Sequence, residues 1–403
     1  MKKTIAFAAL AATLLSGTAF AQEKTIKIGN LSDQSGLYAD ATGGGSTIAA
    51  KLAVEDSGLL AKGWKIEVVA GDHQNKADIG TNIARQWYDV DKVDLIVDTP
   101  NSGVALAVST LTKEKNKVFL NSGAATSDLS GKACSPNTIH WTYDTYALAN
   151  GTGKAIVKNG GDSWFFLTAD YAFGHALERD TGAVVEANGG KVVGKVRHPI
   201  NSPDFSSYLL QAQASKAKVV GLANAGGDTT NSIKQAAEFG ITAGGQKLAA
   251  LLLFITDVHA LGLSVAQGLT FTEAFYWDMN DGTRAFADRF SKQKPGFKPT
   301  MVQAGVYSAV RHYLKAADAL GSVSDGAKVV AKMKEMPTDD ALFGQGSIRA
   351  DGRKLHPVYL FEVKKPSESK GAWDYYKLMG TIPADQAFRP MDKGDCPLVS
   401  AAK

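Results

Sequence analysis

Cysteine is nearly absent: Cys134 and Cys396 are the only two in 403 residues. That excludes a cysteine-rich zinc module and a multi-bridge disulfide scaffold. The seven histidines are scattered without metal-ligand spacing, and His73, in Asp72-His73-Gln74-Asn75, reads as a surface loop residue. There is no G-x-S-x-G elbow, no H-E-x-x-H and no Walker A loop. Gly151-Thr152-Gly153-Lys154 lacks phosphate-loop spacing, and Gly43-Gly44-Gly45-Ser46 reads as a helix-entry turn. No catalytic residue, metal or cofactor is therefore expected, and an exported hydrolase is disfavoured. Large charge asymmetry is also missing. With 44 Lys+Arg against 40 Asp+Glu the formal net charge is +4, of which Lys2 and Lys3 supply two. Such a balance, without a basic stripe, argues against nucleic-acid binding.

Long apolar runs are absent after residue 21, where a membrane helix needs about 20 residues. The one apolar stretch is Thr4–Phe20. Lys2 and Lys3 precede it, and Ala19-Phe20-Ala21 puts small residues at the −3 and −1 positions. This pattern is a secretory signal peptide, with cleavage expected after Ala21. In an oxidising compartment Cys134 and Cys396 are expected to bond if the fold brings them within reach.

Beyond Gln22, short β-branched runs alternate with amphipathic ones. Strands are expected at 25–31, 65–71, 94–99 and 118–120, with helices at 45–56, 77–88 and 104–114 between them. The rhythm restarts with strands at 163–168, 191–197, 219–223, 248–254 and 268–272, separated by helices at 173–187, 204–214 and 229–239. Helices at 282–292, 300–320 and 325–336 and a strand at 358–363 follow. This is an α/β chain with parallel sheets. The segments 134–149 and 273–281 interrupt the rhythm and read as crossings between two units. The division expected is 22–142 with 273–350 for the first, and 143–272 with 351–403 for the second.

Polar loops directly follow five apolar strands: 32–38, 100–103, 121–126, 168–174 and 224–228. Open parallel sheets bind ligands beyond the carboxyl ends of their strands, where helix N-termini offer free N–H groups. One such loop is ordinary helix capping; five imply a cleft between the units.

The residues carrying a family likeness lie in these loops. Ile28-Gly29 with Ser35-Gly36 and Tyr38, the triplet Ala124-Ala125-Thr126, Tyr171-Ala172-Phe173-Gly174, and Lys234-Gln235-Ala236 with Gly240 stand in order behind the signal peptide. Over its mature length the chain resembles the periplasmic solute-binding proteins of ABC importers, of the branched-chain amino-acid type. The resemblance implies two Rossmann-like lobes, joined by three hinge crossings, that close on a ligand. It implies a periplasmic monomer that passes its ligand to a membrane permease. The alternative is a ligand-sensing receptor subunit with a separate membrane partner. Carried over by position, Ser102 and Thr126 would bind a carboxylate, with Ser122, Ala124 and Ala125 beside them. Tyr38, Tyr171 and Phe173 would line the cleft, and Phe254 would stack on a ring. Asp228 would contact an amino group. The acid with which amino-acid binders hold the ammonium has no clear counterpart after Phe254, where Asp257 alone is near. That departure leaves aromatic acids, other small carboxylates and short amides beside amino acids.

Overall fold

The computed structural model describes residues 24–400; the signal peptide expected at Met1–Ala21 lies outside them. Two parallel sheets organise the chain. In the first, β1 (Thr25–Ser32), β2 (Lys65–Asp72), β3 (Leu95–Asp98), β4 (Val118–Asn121) and β5 (Thr138–His140) lie in the order β2-β1-β3-β4-β5. In the second, β6 (Ser163–Ala169), β7 (Lys191–His198), β8 (Val219–Ala223) and β9 (Lys247–Ala250) lie in the order β7-β6-β8-β9. β3, β4, β6 and β8 are buried at every residue, because helices cover both faces of a parallel sheet. The edge strand β7 alternates exposed and half-buried residues instead.

Two small antiparallel sheets complete the fold. β10 (Thr270–Glu273), β14 (Val358–Val363) and β15 (Tyr376–Ile382) form one, and β11 (Thr338–Asp340), β12 (Gly344–Ile348) and β13 (Lys354–Leu355) form the other. The expected strand at 268–272 thus lies outside the second parallel sheet, paired antiparallel to β14. The expected strand 248–254 stops at Ala250. Leu251–Phe254 stay buried after leaving the sheet, and helix Ile255–Leu261 follows. Burial rather than strand pairing keeps that run apolar.

Helix Met301–Leu320 packs along helix Gly43–Glu55 on the first sheet. Thr300 and Gln303 cap it reciprocally, and both also reach the 40–42 segment. Thr300 Oγ1 donates to the Ala41 carbonyl (2.7 Å), and Gln303 Nε2 to that of Thr42 (3.2 Å). His73, expected at the surface, is fully buried, and its Nδ1 accepts from the Asn75 amide. Burial pushes its pKa down to about 4. Cys134 and Cys396 form a disulfide, their Cα atoms 5.6 Å apart. The bond holds the C-terminal segment beside the loop after β4. A division at residue 351 therefore gives the second unit a terminus fastened to the first.

A hydroxyl-lined cavity between the two parallel sheets

The carboxyl ends of the two parallel sheets face one cavity. Tyr38, Thr42, Pro100, Gly123 and Ala125 come to it from loops of the first sheet. Tyr171, Phe173, Ala225, Leu252 and Phe254 come from loops of the second, and Tyr143 from the crossing. The lining side chains close on one another and leave a free volume of about 10 Å³, room for roughly one water molecule, so a ligand enters only when the two sides part.

The Asp33 carboxylate builds the loop that carries Tyr38. It accepts from the amides of Gly36 and Tyr38 (2.8 Å each) and from Asn75 Nδ2 (2.7 Å). The Tyr38 ring is buried, and its hydroxyl lies 2.5 Å from that of Tyr171, so one bond spans the cleft. Tyr143 donates to the Gly123 carbonyl (2.7 Å) and meets the Phe254 ring edge-on at 6.5 Å. Burial pushes all three phenols above their ordinary range, most plainly Tyr38 and Tyr143. They are neutral hydrogen-bonding groups at physiological pH.

At Gly226 the two sides meet closely. Its φ is +58°, and a Cβ there would stand 2.5 Å from the Leu37 carbonyl oxygen and 3.1 Å from the Tyr38 ring. The bend after β3 holds backbone strain, since Asp98 and Thr99 have φ of +75° and +59°. Two buried non-glycine residues in this region cost roughly 1–3 kcal/mol each. They turn the chain directly into Pro100 on the cavity wall. Burial pushes Asp98 up to about 7, and its Oδ1 has no hydrogen-bond partner.

Five residues expected from the sequence line the cavity: Tyr38, Ala125, Tyr171, Phe173 and Phe254. The other five stand behind it. Ser102 Oγ accepts from the Thr126 amide (3.2 Å), and Thr126 Oγ1 accepts from that of Asp128 (3.4 Å). Ser122 bonds Thr142 and the Val302 carbonyl (2.7 Å each). Both backbone groups of Ala124 are taken by the Asn121 side chain. Asp228 accepts from the amides of Asn201 (3.0 Å) and Ser202 (2.9 Å), and burial pushes it up to about 6. It braces a neighbouring turn.

Six further residues line the cavity without such a signal in the sequence. Pro100, Gly123 and Ala225 belong to polar loops already identified, but hydroxyl-bearing neighbours drew the assignment. Thr42 lies beyond its loop, Tyr143 falls in the segment whose pattern marks a crossing, and Leu252 in a run whose pattern marks strand interior. The lining carries no charged side chain. Among the described residues no group of His, Cys, Asp and Glu is arranged to hold a metal ion, and no helix is long and apolar enough to cross a membrane.

A family model described as periplasmic binding protein matches residues 25–372. The chain belongs to that family. Its members bind solutes rather than transform them, and this chain is a solute-binding protein of the ABC-transporter type, not an enzyme. A periplasmic binding protein from Burkholderia mallei is 54% identical with a TM-score of 0.90, covering 93% of this chain and 99% of its own. A branched chain amino acid ABC transporter periplasmic ligand-binding protein from Burkholderia xenovorans LB400 is 41% identical, TM-score 0.82, over 93% and 99%. A solute binding protein from R. palustris, solved with 4-hydroxybenzoate, is 25% identical, TM-score 0.80, over 89% and 97%. The periplasmic binding protein fold inferred from the loop residues is the fold observed.

Proposed function

We propose that this periplasmic binding protein captures a small aromatic carboxylate between its lobes and delivers it to the permease of an ABC importer. The observation that carries this reading is the lining itself. Rings and hydroxyls surround the space, and no charged side chain meets it. An α-amino acid brings an ammonium group, which is costly to bury without an acid or several acceptors. Asp228 and Asp257, the two acids near enough by sequence to be considered, are each engaged with backbone amides. A benzoate-like ligand needs hydrogen-bond donors for one carboxylate and apolar walls for a ring.

Donors for that carboxylate are at hand. The Ala125 amide bonds no other group among the described residues, and Ser102 and Thr126 stand immediately behind it. Tyr171 and Tyr38 would meet the far end of the ring, where a phenolic hydroxyl joins their pair. The R. palustris protein solved with 4-hydroxybenzoate is consistent with such a ligand. In this reading the leader is removed after Ala21, the mature chain works in the periplasm as a monomer, and hinge closure commits the ligand.

Mass spectrometry of small molecules released from the purified, denatured chain tests the ligand class. An aromatic acid in near-stoichiometric amount supports the reading. A branched-chain amino acid in its place overturns it.

A further inference from the structure

The helix that contributes Phe173 to the cavity meets the first-sheet side a second time. Helix Ala172–Ala187 begins at the cavity wall and carries Arg179 and Asp180 about two turns, roughly 10 Å, further along. The loop that contributes Ala125 continues directly to Ser127 and Asp128. Asp180 Oδ2 accepts from Ser127 Oγ (2.7 Å) and Thr145 Oγ1 (2.5 Å), and its Oδ1 accepts from Arg179 Nε (2.9 Å). The Arg179 guanidinium also reaches Asp128 (3.2 Å) and Ser127 Oγ (2.9 Å). The same two elements that enclose the cavity are thus bonded together away from it. None of these residues lines the cavity.

The loop is held from behind by the C-terminal segment. Arg389 donates to the Ser127 carbonyl (3.0 Å), and Arg349 to the Arg389 carbonyl (2.8 Å). A Cβ at Gly131 would stand 2.4 Å from the Arg389 guanidinium and 2.7 Å from the Gly394 carbonyl oxygen, so the segment lies directly on the loop. Cys396–Cys134 then fastens it covalently. The chain leaves β15, in the antiparallel sheet with β10 and β14, and returns to the first sheet as a strap.

We propose that Ser127, Asp128, Arg179 and Asp180, backed by the disulfide-fastened strap, form a closure latch that holds the lobes together without touching the ligand. The latch rests on the hinge-closure reading, and it favours the closed form in the empty protein. Arg179 and Asp180 are positioning residues: they act on cavity geometry through the helix that carries Phe173.

Small-angle scattering of the ligand-free mature chain tests this without knowledge of the ligand. The variants are Asp180→Asn, the milder and more exposed Arg179→Gln, and Cys134→Ser combined with Cys396→Ser. The latch predicts a larger radius of gyration in all three, with the closed-to-open ratio falling by about threefold or more. Melting temperatures are measured alongside. Scattering curves of Arg179→Gln and of the disulfide-free chain that superimpose on wild type, whatever the melting temperature does, overturn the proposal. A chain that binds no aromatic acid yet opens in these variants would sink the ligand assignment and leave the latch standing.

Discussion

The hydroxyls of Tyr38 and Tyr171 lie 2.5 Å apart across the cleft, one from the loop after β1 and the other from the loop after β6. Asp33 anchors the Tyr38 loop on one side and the Tyr171 ring packs against Phe173 (5.9 Å) on the other, so the bond depends on the two sheets' loops facing each other. A net hydrogen bond is worth about 1 kcal/mol. Tyr38→Phe and Tyr171→Phe should each weaken binding of 4-hydroxybenzoate by roughly 5–30-fold, allowing for the partner left unpaired. The double variant should be less than additive, because the two hydroxyls act on each other. Calorimetry on the four proteins checks the cycle; fully additive losses would mean that the pair does not act as a unit.

Gly226→Ala should impair closure more than folding. The new methyl would press on the Leu37 carbonyl from the opposite side of the cleft. The backbone at φ +58°, ψ −131° adds roughly 1–3 kcal/mol for a non-glycine residue. The expected result is a modest fall in melting temperature of the empty chain, with a loss of ligand affinity of about tenfold or more. Unchanged affinity would show that the closed form tolerates a side chain there.

Asp98 makes stability depend on pH in a defined direction. Burial holds its pKa at about 7, against the pull of the Ser32 hydroxyl, which donates to its Oδ2 (2.8 Å), and with added repulsion from Asp33. The unfolded value is about 3.9. Between the two, the folded chain keeps a proton that the unfolded chain has lost, so stability falls as pH rises through that window. Asp98→Asn removes this cost. The melting temperature of the variant minus that of wild type should increase from pH 4 to pH 7 and flatten above. A difference independent of pH would contradict the assignment.

The disulfide should matter to folding as well as to the strap. Its half-cystines are 262 residues apart, and removing a native bridge costs roughly 2–5 kcal/mol. Chemical denaturation of the oxidised chain and of Cys134→Ser/Cys396→Ser should show a shifted midpoint of that size. Coincident curves would show that the terminus is held by non-covalent contacts alone.

Much of the architecture is legible in the residues themselves. β3, β4, β6 and β8 announce themselves as apolar runs closed by polar loops, because strands buried on both faces have few alternatives in composition, while the edge strands β2 and β7 show through their β-branched residues alone. Leu251–Phe254 look like more strand for the same reason: burial at the cavity and burial in a sheet select the same side chains. β15 escapes notice because Leu378 and Met379 are about half exposed at 53% and 49%, while Lys377 interrupts the apolar pattern. For the site, the loops are visible from sequence but the facing atoms are not. Asp228 looks free until Asn201 and Ser202, 26 residues or more away, offer their amides. Ser122 is drawn aside by Val302, 180 residues distant. Partners this remote leave no local signal, so hydroxyl residues attract assignments that belong to Gly123 and Pro100.

The central claim is that an uncharged, ring-lined cavity selects an aromatic acid over an amino acid. Isothermal titration of the mature chain with benzoate, 4-hydroxybenzoate and leucine tests it most directly. The account predicts one-to-one binding of at least one of the two benzoates, with the negative heat-capacity change of apolar burial, and no saturable heat with leucine. Saturable leucine binding, with neither benzoate bound, would contradict it.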